Sequence, residues 1–456
     1  MKKTVLAHVI PATVLACIAV PAAATNGYFT HGVGTHSKAM AGAGDAMPDM
    51  AIDIANNPAS GVLVKDSIDI GLALFSPRRE YSASQSQLNG QFGAFSIDAG
   101  TVESDNEYFP IPYIAKNWKL DDDRAVTLAF YGRGGMNTDY TSGSATFDPD
   151  GPGPAPIMSL PGPFGTGTAG VNLNQAFLEI SYSFTVDDIS FGIAPVLAYQ
   201  IFEAEGVGAF APYTKTFAES GGTVMPQNLT NRGSDSSFGY GIKVGAIWSA
   251  TDRVALSLAY QSEIKMDEFS KYSDLFAENG GFDIPATARA GISLQATPNV
   301  QLHLDVERIY YSDVPSVANS VTAVGGCPTA GMGGMNLENC LGGNQGFGFG
   351  WDDVTVYQIG AEWTPASTPG ITWRAGYNYG EQPISAEDAV INIFAPAVIE
   401  EHFTAGFCLD LPRERHLSVA LMYAPEKTVT GPNLFDPTQQ ISLSMDQFEL
   451  EVAYSF

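Results

Sequence analysis

The C-terminal stretch Phe448-Glu449-Leu450-Glu451-Val452-Ala453-Tyr454-Ser455-Phe456 decides the fold. Its apolar residues fall on every second position, the period of a β-strand and not of a helix. Phe448, Leu450, Val452, Tyr454 and Phe456 therefore share one face, and Glu449, Glu451, Ala453 and Ser455 the other. The same division recurs upstream. Val254, Leu256, Leu258 and Tyr260 oppose Ala255, Ser257, Ala259 and Gln261; Val300, Leu302, Leu304 and Val306 oppose Gln301, His303, Asp305 and Glu307. Ile371, Trp373, Ala375, Tyr377 and Tyr379 likewise oppose Thr372, Arg374, Gly376 and Asn378.

Connections between these segments alternate in length. Short ones carry Asp, Asn or Pro, as in 121–123, 187–188, 251–252 and 298–299; long ones carry Gly, Pro and Ser, as in 141–170, 203–235, 312–350 and 428–440. One tight rim and one elaborate rim are the mark of an outer-membrane barrel, with short periplasmic turns and long extracellular loops. Hydrocarbon offers no partner to backbone N–H and C=O groups, so an apolar strand face turned to lipid requires a sheet with no open edge. The pattern predicts an all-β fold, a transmembrane antiparallel β-barrel of about 14 strands occupying 66–456, with both ends on the periplasmic side. Ring side chains near predicted strand ends, including Tyr108, Phe109, Tyr113, Trp118, Tyr131, Tyr182, Trp248, Trp363, Trp373, Tyr423 and Tyr454, are expected to form aromatic girdles.

The N-terminus sets the compartment. Lys2 and Lys3, the apolar run from Val5 to Val20 and the small residues Ala22-Ala23-Ala24 read as a secretory signal peptide over 1–24. Among 456 residues, charged side chains make up 16%, below the roughly 25% of soluble chains, while 48 Gly and 28 Pro enrich turn formers. No later apolar run approaches the roughly 20 residues of a spanning helix. A net charge of −27 opposes binding to phosphate backbones, so nucleic acid is excluded as a partner. Export favours a disulfide between Cys327 and Cys340, which flank a Gly-rich stretch; closing a loop near 15 residues is worth on the order of 3 kcal/mol. Cys408 is left as a free, packed thiol with no metal-ligand spacing around it.

Residues 25–65 break the alternation. Their Gly-rich, weakly charged sequence is too short for a separate domain and reads as a hatch packed inside the lumen, where small residues allow close backbone approach. Asn26-Gly27-Tyr28-Phe29, Gly32-Val33-Gly34, the Ala39–Ala46 stretch, Asn57-Pro58-Ala59 and the terminal Phe456 together resemble the FadL-type outer-membrane transporters of long-chain fatty acids and aromatic hydrocarbons. The resemblance implies a fourteen-stranded barrel with an N-terminal hatch, capture of hydrophobic ligands at extracellular loops, and lateral exit through an inward kink in the third strand. It also implies a ligand pocket beside the hatch N-terminus, drawing on Asn26, Tyr28, Phe29, Asn57, Pro58 and Ala59. A matching kink is offered by Gly132-Arg133-Gly134-Gly135, since three glycines in four positions permit a bulge.

In the Pro-rich loop 149–164, Ile157, Met158, Leu160 and Phe164 suit first capture of an oily ligand. Alternation turns Arg133, Lys243, Arg289 and Arg374 toward the lumen, but Glu179, Asp305, Glu307, Glu449 and Glu451 face the same way, so charge pairing is their expected role. Catalysis is disfavoured: there is no G-x-S-x-G elbow, and His303, His402 and His416 show no nucleophile spacing. Gly165-Thr166-Gly167-Thr168-Ala169-Gly170 fits a nucleotide fingerprint but follows Pro-rich sequence and precedes a strand. No cofactor or metal is expected. The expected partners are a hydrophobic small molecule, outer-membrane lipid and lipopolysaccharide, and the barrel-assembly machinery that reads the terminal Phe456. The competing reading is a general porin or surface receptor barrel for polar solutes.

Overall fold

The computed structural model describes residues 26–148, 153 and 156–456. The signal peptide assigned to 1–24 lies outside the described residues, as do 149–152 and 154–155 of the Pro-rich loop. Fourteen strands form a closed antiparallel ring: β1 (Ser67–Ala83), β2 (Phe109–Asp121), β3 (Arg124–Tyr140), β4 (Ala169–Val186), β5 (Ile189–Glu205), β6 (Asp235–Thr251), β7 (Val254–Gln261), β8 (Thr287–Thr297), β9 (Val300–Ile309), β10 (Val354–Trp363), β11 (Ile371–Gly380), β12 (Glu401–Leu411), β13 (Arg415–Asn433) and β14 (Asp436–Ser455). Each pairs with its chain neighbours, and β14 returns to β1 in a register running from Asp69–Ser455 to Ala83–Ile441.

Burial is inverted relative to a soluble sheet. On β14, Phe448, Leu450 and Val452 are exposed while Glu449 and Glu451 are buried; on β1, Ile70, Leu72 and Leu74 are exposed while Asp69 and Phe75 are buried. The apolar face looks outward because its solvent is lipid. Exposed rings mark the edges of that band. Phe238, Tyr240, Tyr260, Tyr357, Phe403, Tyr423 and Phe448 lie toward the loop-rich rim, and Trp118, Tyr182, Phe191, Trp248, Trp363, Trp373 and Phe456 toward the rim of tight turns. Tyr357 and Trp363 on β10, and Tyr240 and Trp248 on β6, are about 20 to 26 Å apart along their strands at the usual rise, which matches the band of outer-membrane barrels.

Two expectations need correction. Phe109, Tyr113 and Tyr131 belong to no girdle: the phase of alternation on β2 and β3 turns them into the lumen, where they are buried. The segment 428–440 is no long loop, because β13 and β14 run on to a hairpin at Leu434 and Phe435. Long connections also fill 84–108, 262–286 and 381–400, where short helical turns and small strands replace the alternating pattern. In one of them Gly100–Glu103 pairs with the end of β1. Phe95–Ile97, Ser144–Phe147 and Met158–Pro161 form a separate small sheet among these loops.

One joint of the ring is incomplete. The β2–β3 ladder runs from Asp121–Arg124 to Tyr113–Tyr131 and stops, although β3 continues to Tyr140 alongside β4. On its other side β2 pairs with β1 as far as Phe109. Pro110 and Pro112 supply no N–H. The β1 ladder passes both without a break, so the missing donors face β3. The end of β2 thus offers β3 no donors at Pro110 and Pro112, and a gap opens in the wall above Tyr113–Tyr131.

A charge on the lipid face should be costly: Leu450→Arg is expected to lower barrel stability by about 2–4 kcal/mol, read by denaturant titration of folding into bilayers, with Leu450→Phe near neutral.

Candidate functional site

Residues 26–64 lie inside the barrel with most side chains buried. The segment turns tightly. At Gly42, with φ +96°, an added Cβ would fall 2.2 Å from the His31 carbonyl oxygen, so no other residue fits. One short helix, α1 (Thr35–Ala39), and two 3₁₀ turns, Ala51–Ala55 and Pro58–Val62, complete it.

Three charged residues of this hatch each meet opposite charge on the wall. Lys38 lies 2.9 Å from Glu449 and 2.7 Å from Glu451 on β14. Asp45 lies 2.6 Å from Arg289 on β8, which also holds Glu307 at 2.9 Å. Asp49 lies 3.0 Å from Arg374 on β11, itself 2.7 Å from Glu362. Asn57, Pro58 and Ala59 act at the wall as well: Asn57 Nδ2 donates to the Leu258 carbonyl at 3.2 Å, its Oδ1 accepts from Ala59 N at 3.0 Å, and Ser181 Oγ donates to the Pro58 carbonyl at 2.7 Å. Gly245 and Gly192 leave room for this seat, since a Cβ there would fall 2.0 Å from Asn57 Oδ1 and 2.2 Å from the Pro58 carbonyl carbon. The hatch from Lys38 to Ala59 is fixed to the barrel.

Its first residues are held differently. Thr30 N donates to the Arg133 carbonyl at 2.9 Å and Gly135 N to the Tyr28 carbonyl at 3.0 Å, so Tyr28–Thr30 runs along β3 where β2 is missing. β3 is bulged at this point: Gly132 opposes Ala176 and Gly134 opposes Gln175, leaving Arg133 as the extra residue. At Gly134 a Cβ would lie 2.1 Å from Gln175 Oε1, the movable end of a long side chain, and 3.2 Å from Phe29 Cδ1, so a larger residue must displace the Gln175 amide and press on the Phe29 ring. The Tyr28 ring packs against Phe29 at 5.0 Å, Tyr311 at 5.2 Å, Trp351 at 5.9 Å and Phe282 at 6.2 Å between centroids. Tyr311 Oη accepts from Tyr28 N at 3.0 Å and donates to the Asn26 carbonyl at 2.6 Å. These bonds and ring contacts hold Tyr28 and Phe29 in a pocket built from the loop before β8 and the loop after β9.

Toward the loop-rich rim, an apolar crevice continues between Phe202, Phe210, Phe276, Phe347, Phe349 and Phe394, closed to about 40 Å³. Phe164 reaches this region, stacked on Phe394 at 4.7 Å and near Phe210 at 5.3 Å. Ile157 and Met158 stay exposed, and Leu160 is half-buried in the small loop sheet. Cys327 and Cys340 are joined in a disulfide within the β9–β10 loop. The structure thus brings Asn26, Tyr28 and Phe29 together with Gly132–Gly135, and keeps Asn57–Ala59 and the loop residues Ile157 and Met158 apart from them.

Sequence reasoning missed Tyr311, Trp351, Phe282 and Gln175, which sit in irregular loops or on the far side of a bulge. The lumen cations fall into pairs: Arg133 with Glu307 at 2.6 Å and Lys243 with Glu179 at 2.7 Å, besides Arg289 and Arg374 above. Cys408 is buried and free, but the β12–β13 hairpin brings Asp410 and His416 beside it, a cross-strand proximity that linear spacing did not reveal.

A closed lipid-facing barrel with a tethered internal hatch and one unpaired joint is the architecture of a plugged outer-membrane transport protein. The chain belongs to the outer membrane protein transport family described as OMPP1/FadL/TodX, whose model matches residues 159–433, more than half of its length. Among solved structures it is similar to the toluene transporter TodX of P. putida, at 16% identity with a TM-score of 0.63, covering 93% of this chain and 98% of that one. It is also similar to a Pseudomonas aeruginosa FadL homologue (15%, TM-score 0.62, 94% and 99%) and to the Ralstonia pickettii toluene transporter TbuX (16%, 0.59, 93% and 98%). No curated protein matches the sequence significantly. The protein is an outer-membrane β-barrel.

Gly134→Val should push Tyr28–Thr30 off β3 while the barrel still folds, seen as lost hydrogen-exchange protection at the Thr30 and Gly135 amides with protection elsewhere in β3 and β4 retained. Lys38→Met leaves Glu449 and Glu451 without their cation; a loss of about 3–5 kcal/mol is expected, and Lys38→Met combined with Glu449→Gln and Glu451→Gln should recover much of it in the same denaturant titration.

Proposed function

We propose that the protein carries hydrophobic small molecules, long-chain fatty acids or aromatic hydrocarbons, across the outer membrane without an open pore. The single observation that carries this reading is the coincidence at β3: the wall lacks a ladder where the hatch N-terminus, inserted in a ring-lined pocket, takes its place. Exposed loop residues such as Ile157 and Met158 offer a first apolar contact, and the crevice around Phe202 and Phe394 leads inward. A ligand entering the ring pocket competes with Tyr28 and Phe29 for the same surfaces. Withdrawal of residues 26–33 from β3 then opens a path through the β2–β3 gap into the lipid, where an apolar molecule is at its lowest free energy. The hatch beyond Lys38 stays in place, so water and polar solutes remain excluded; this is the observation that disfavours a general porin. The toluene transporters TodX and TbuX are named for an apolar cargo of this kind. In this reading the lipid-facing band meets outer-membrane lipid and lipopolysaccharide, and terminal Phe456 is the signal for the barrel-assembly machinery.

The test compares the mature chain with one lacking residues 26–33, for binding of oleate and of toluene to detergent-purified protein and for conductance in planar bilayers. Binding of either ligand by the intact chain, altered several-fold by the deletion, is expected. Free passage of small polar solutes through the intact chain, with neither ligand bound, would refute hydrophobic transport.

A further inference from the structure

Six Lys and Arg side chains are buried among the described residues: Lys38, Arg79, Arg133, Lys243, Arg289 and Arg374. Five of them have a carboxylate at 3.0 Å or less. Among the described residues Arg79 has none within 4.0 Å, although it is only 5% exposed. A buried cation without a counter-charge is costly in any fold, and the same barrel neutralises every other one.

Arg79 stands at the incomplete joint. It lies on the inner face of β1, and its two terminal nitrogens donate to the carbonyls of Asn137 on β3 and Asn106 just before β2. Its guanidinium sits 5.3 Å from the centroid of the Phe109 ring. Nε has no hydrogen-bond partner. Guanidinium carries five N–H donors, so three remain beyond those given to the two carbonyls. The side chain borders two spaces. Inward is a narrow crevice lined by Gly27, Gly135, Met136 and Trp351, directly beside the hatch N-terminus. Outward is a recess of about 730 Å³ lined by Ser76, Tyr108 and Phe448. Arg79 is the partition between lumen and exterior at this point.

We propose that Arg79 is a carboxylate-binding residue of the lateral exit, and that the cargo passing it includes amphipathic acids with an apolar tail and one carboxylate. The inference rests on lateral passage through the β2–β3 gap as set out above. Charge and height both support it. Glu80, Glu103, Glu107, Glu426 and Asp446 line the outer recess, and Arg78 there is taken by Asp446 at 2.8 Å. An anion is repelled from that side, so one reaching Arg79 comes from the inner crevice. Arg79 pairs across the ladder with Met445, three positions from the girdle ring Phe448, so it stands near the level where the apolar band ends. A carboxylate held there places its tail toward the outer faces of Leu72 and Leu74, within the band. Charge-assisted bonds from the free donors would complete the neutralisation that the protein leaves undone.

The experiment measures uptake of radiolabelled oleate and of methyl oleate, which has the same chain without the charge, in cells for which this protein is the sole route for such molecules. Oleate binding to the detergent-purified protein is measured in parallel. Wild type, Arg79→Gln and Arg79→Lys are compared, with heat-modifiable migration reporting barrel folding. Arg79→Gln is expected to lower oleate uptake and binding about tenfold while methyl oleate stays within about twofold of wild type, and Arg79→Lys to recover a substantial part of oleate uptake. An equal fall for both molecules in a folded barrel would make Arg79 a strut across the gap and overturn the proposal, as would no fall for either. Unchanged oleate handling together with loss of co-purifying lipopolysaccharide would assign the residue to a resident membrane anion and equally overturn it. Failure of wild type to take up either molecule would overturn the transport reading itself, and this inference with it.

Discussion

A backbone in hydrocarbon has nowhere to place its N–H and C=O groups except on another backbone, and the rest of this structure follows from that constraint. It forces closure of the ring and turns the apolar face outward. It also makes any break in the ladder conspicuous. The break between β2 and β3 is written in covalent chemistry, since Pro110 and Pro112 have no hydrogen to donate toward β3. The freed edge of β3 is met by the hatch backbone at Tyr28–Thr30 and by Arg79 at Asn137. The same segment is thus a substitute strand and a stopper, and it cannot leave its ring pocket without also leaving the wall.

The hatch has two regimes of attachment. From Lys38 to Ala59 it is fixed by the buried Lys38 and Asp45 ion pairs, by the half-exposed Asp49–Arg374 pair, and by Asn57 Nδ2 on the wall carbonyl of Leu258. Removing Lys38 strands Glu449 and Glu451 in a low-dielectric interior. From Asn26 to Val33 the attachment is a few backbone hydrogen bonds and ring contacts. The attachment without ion pairs is confined to the part that touches the gap.

Much of the architecture was legible because lipid-facing strands carry a two-residue period with an obligatory apolar face. The tail of β14, the division at Val300–Glu307 and the tight turns at 187–188 and 298–299 required nothing beyond that rule. The Gly132–Gly135 cluster was legible as a bend, and the inward cations as members of pairs. Which acid meets which cation was not, because partners such as Lys38 and Glu451 are fixed only by closure of the whole ring. Phe109, Tyr113 and Tyr131 were misassigned because ring residues near strand ends look alike from either face; only the phase of the strand separates a girdle ring from a lumen ring. Tyr311, Trp351 and the other pocket rings lie in loops where no period operates. Pro110 and Pro112 were readable as ladder-breakers, but the side they break depends on a register that the sequence does not state.

The distances in sequence between hatch and wall partners bear on how the molecule is built. Lys38 meets Glu449 and Glu451 on the last strand, while Asp45 and Asp49 meet Arg289 and Arg374 in its middle. Lys38 therefore finds its counter-charges only when the last strand has been laid down, at high contact order and with the loop-closure entropy of nearly the whole chain. The hatch is fully seated only once β8, β11 and β14 stand together around it. The barrel must close around it, which makes seating of the hatch and pairing of β14 with β1 a single concluding event of assembly.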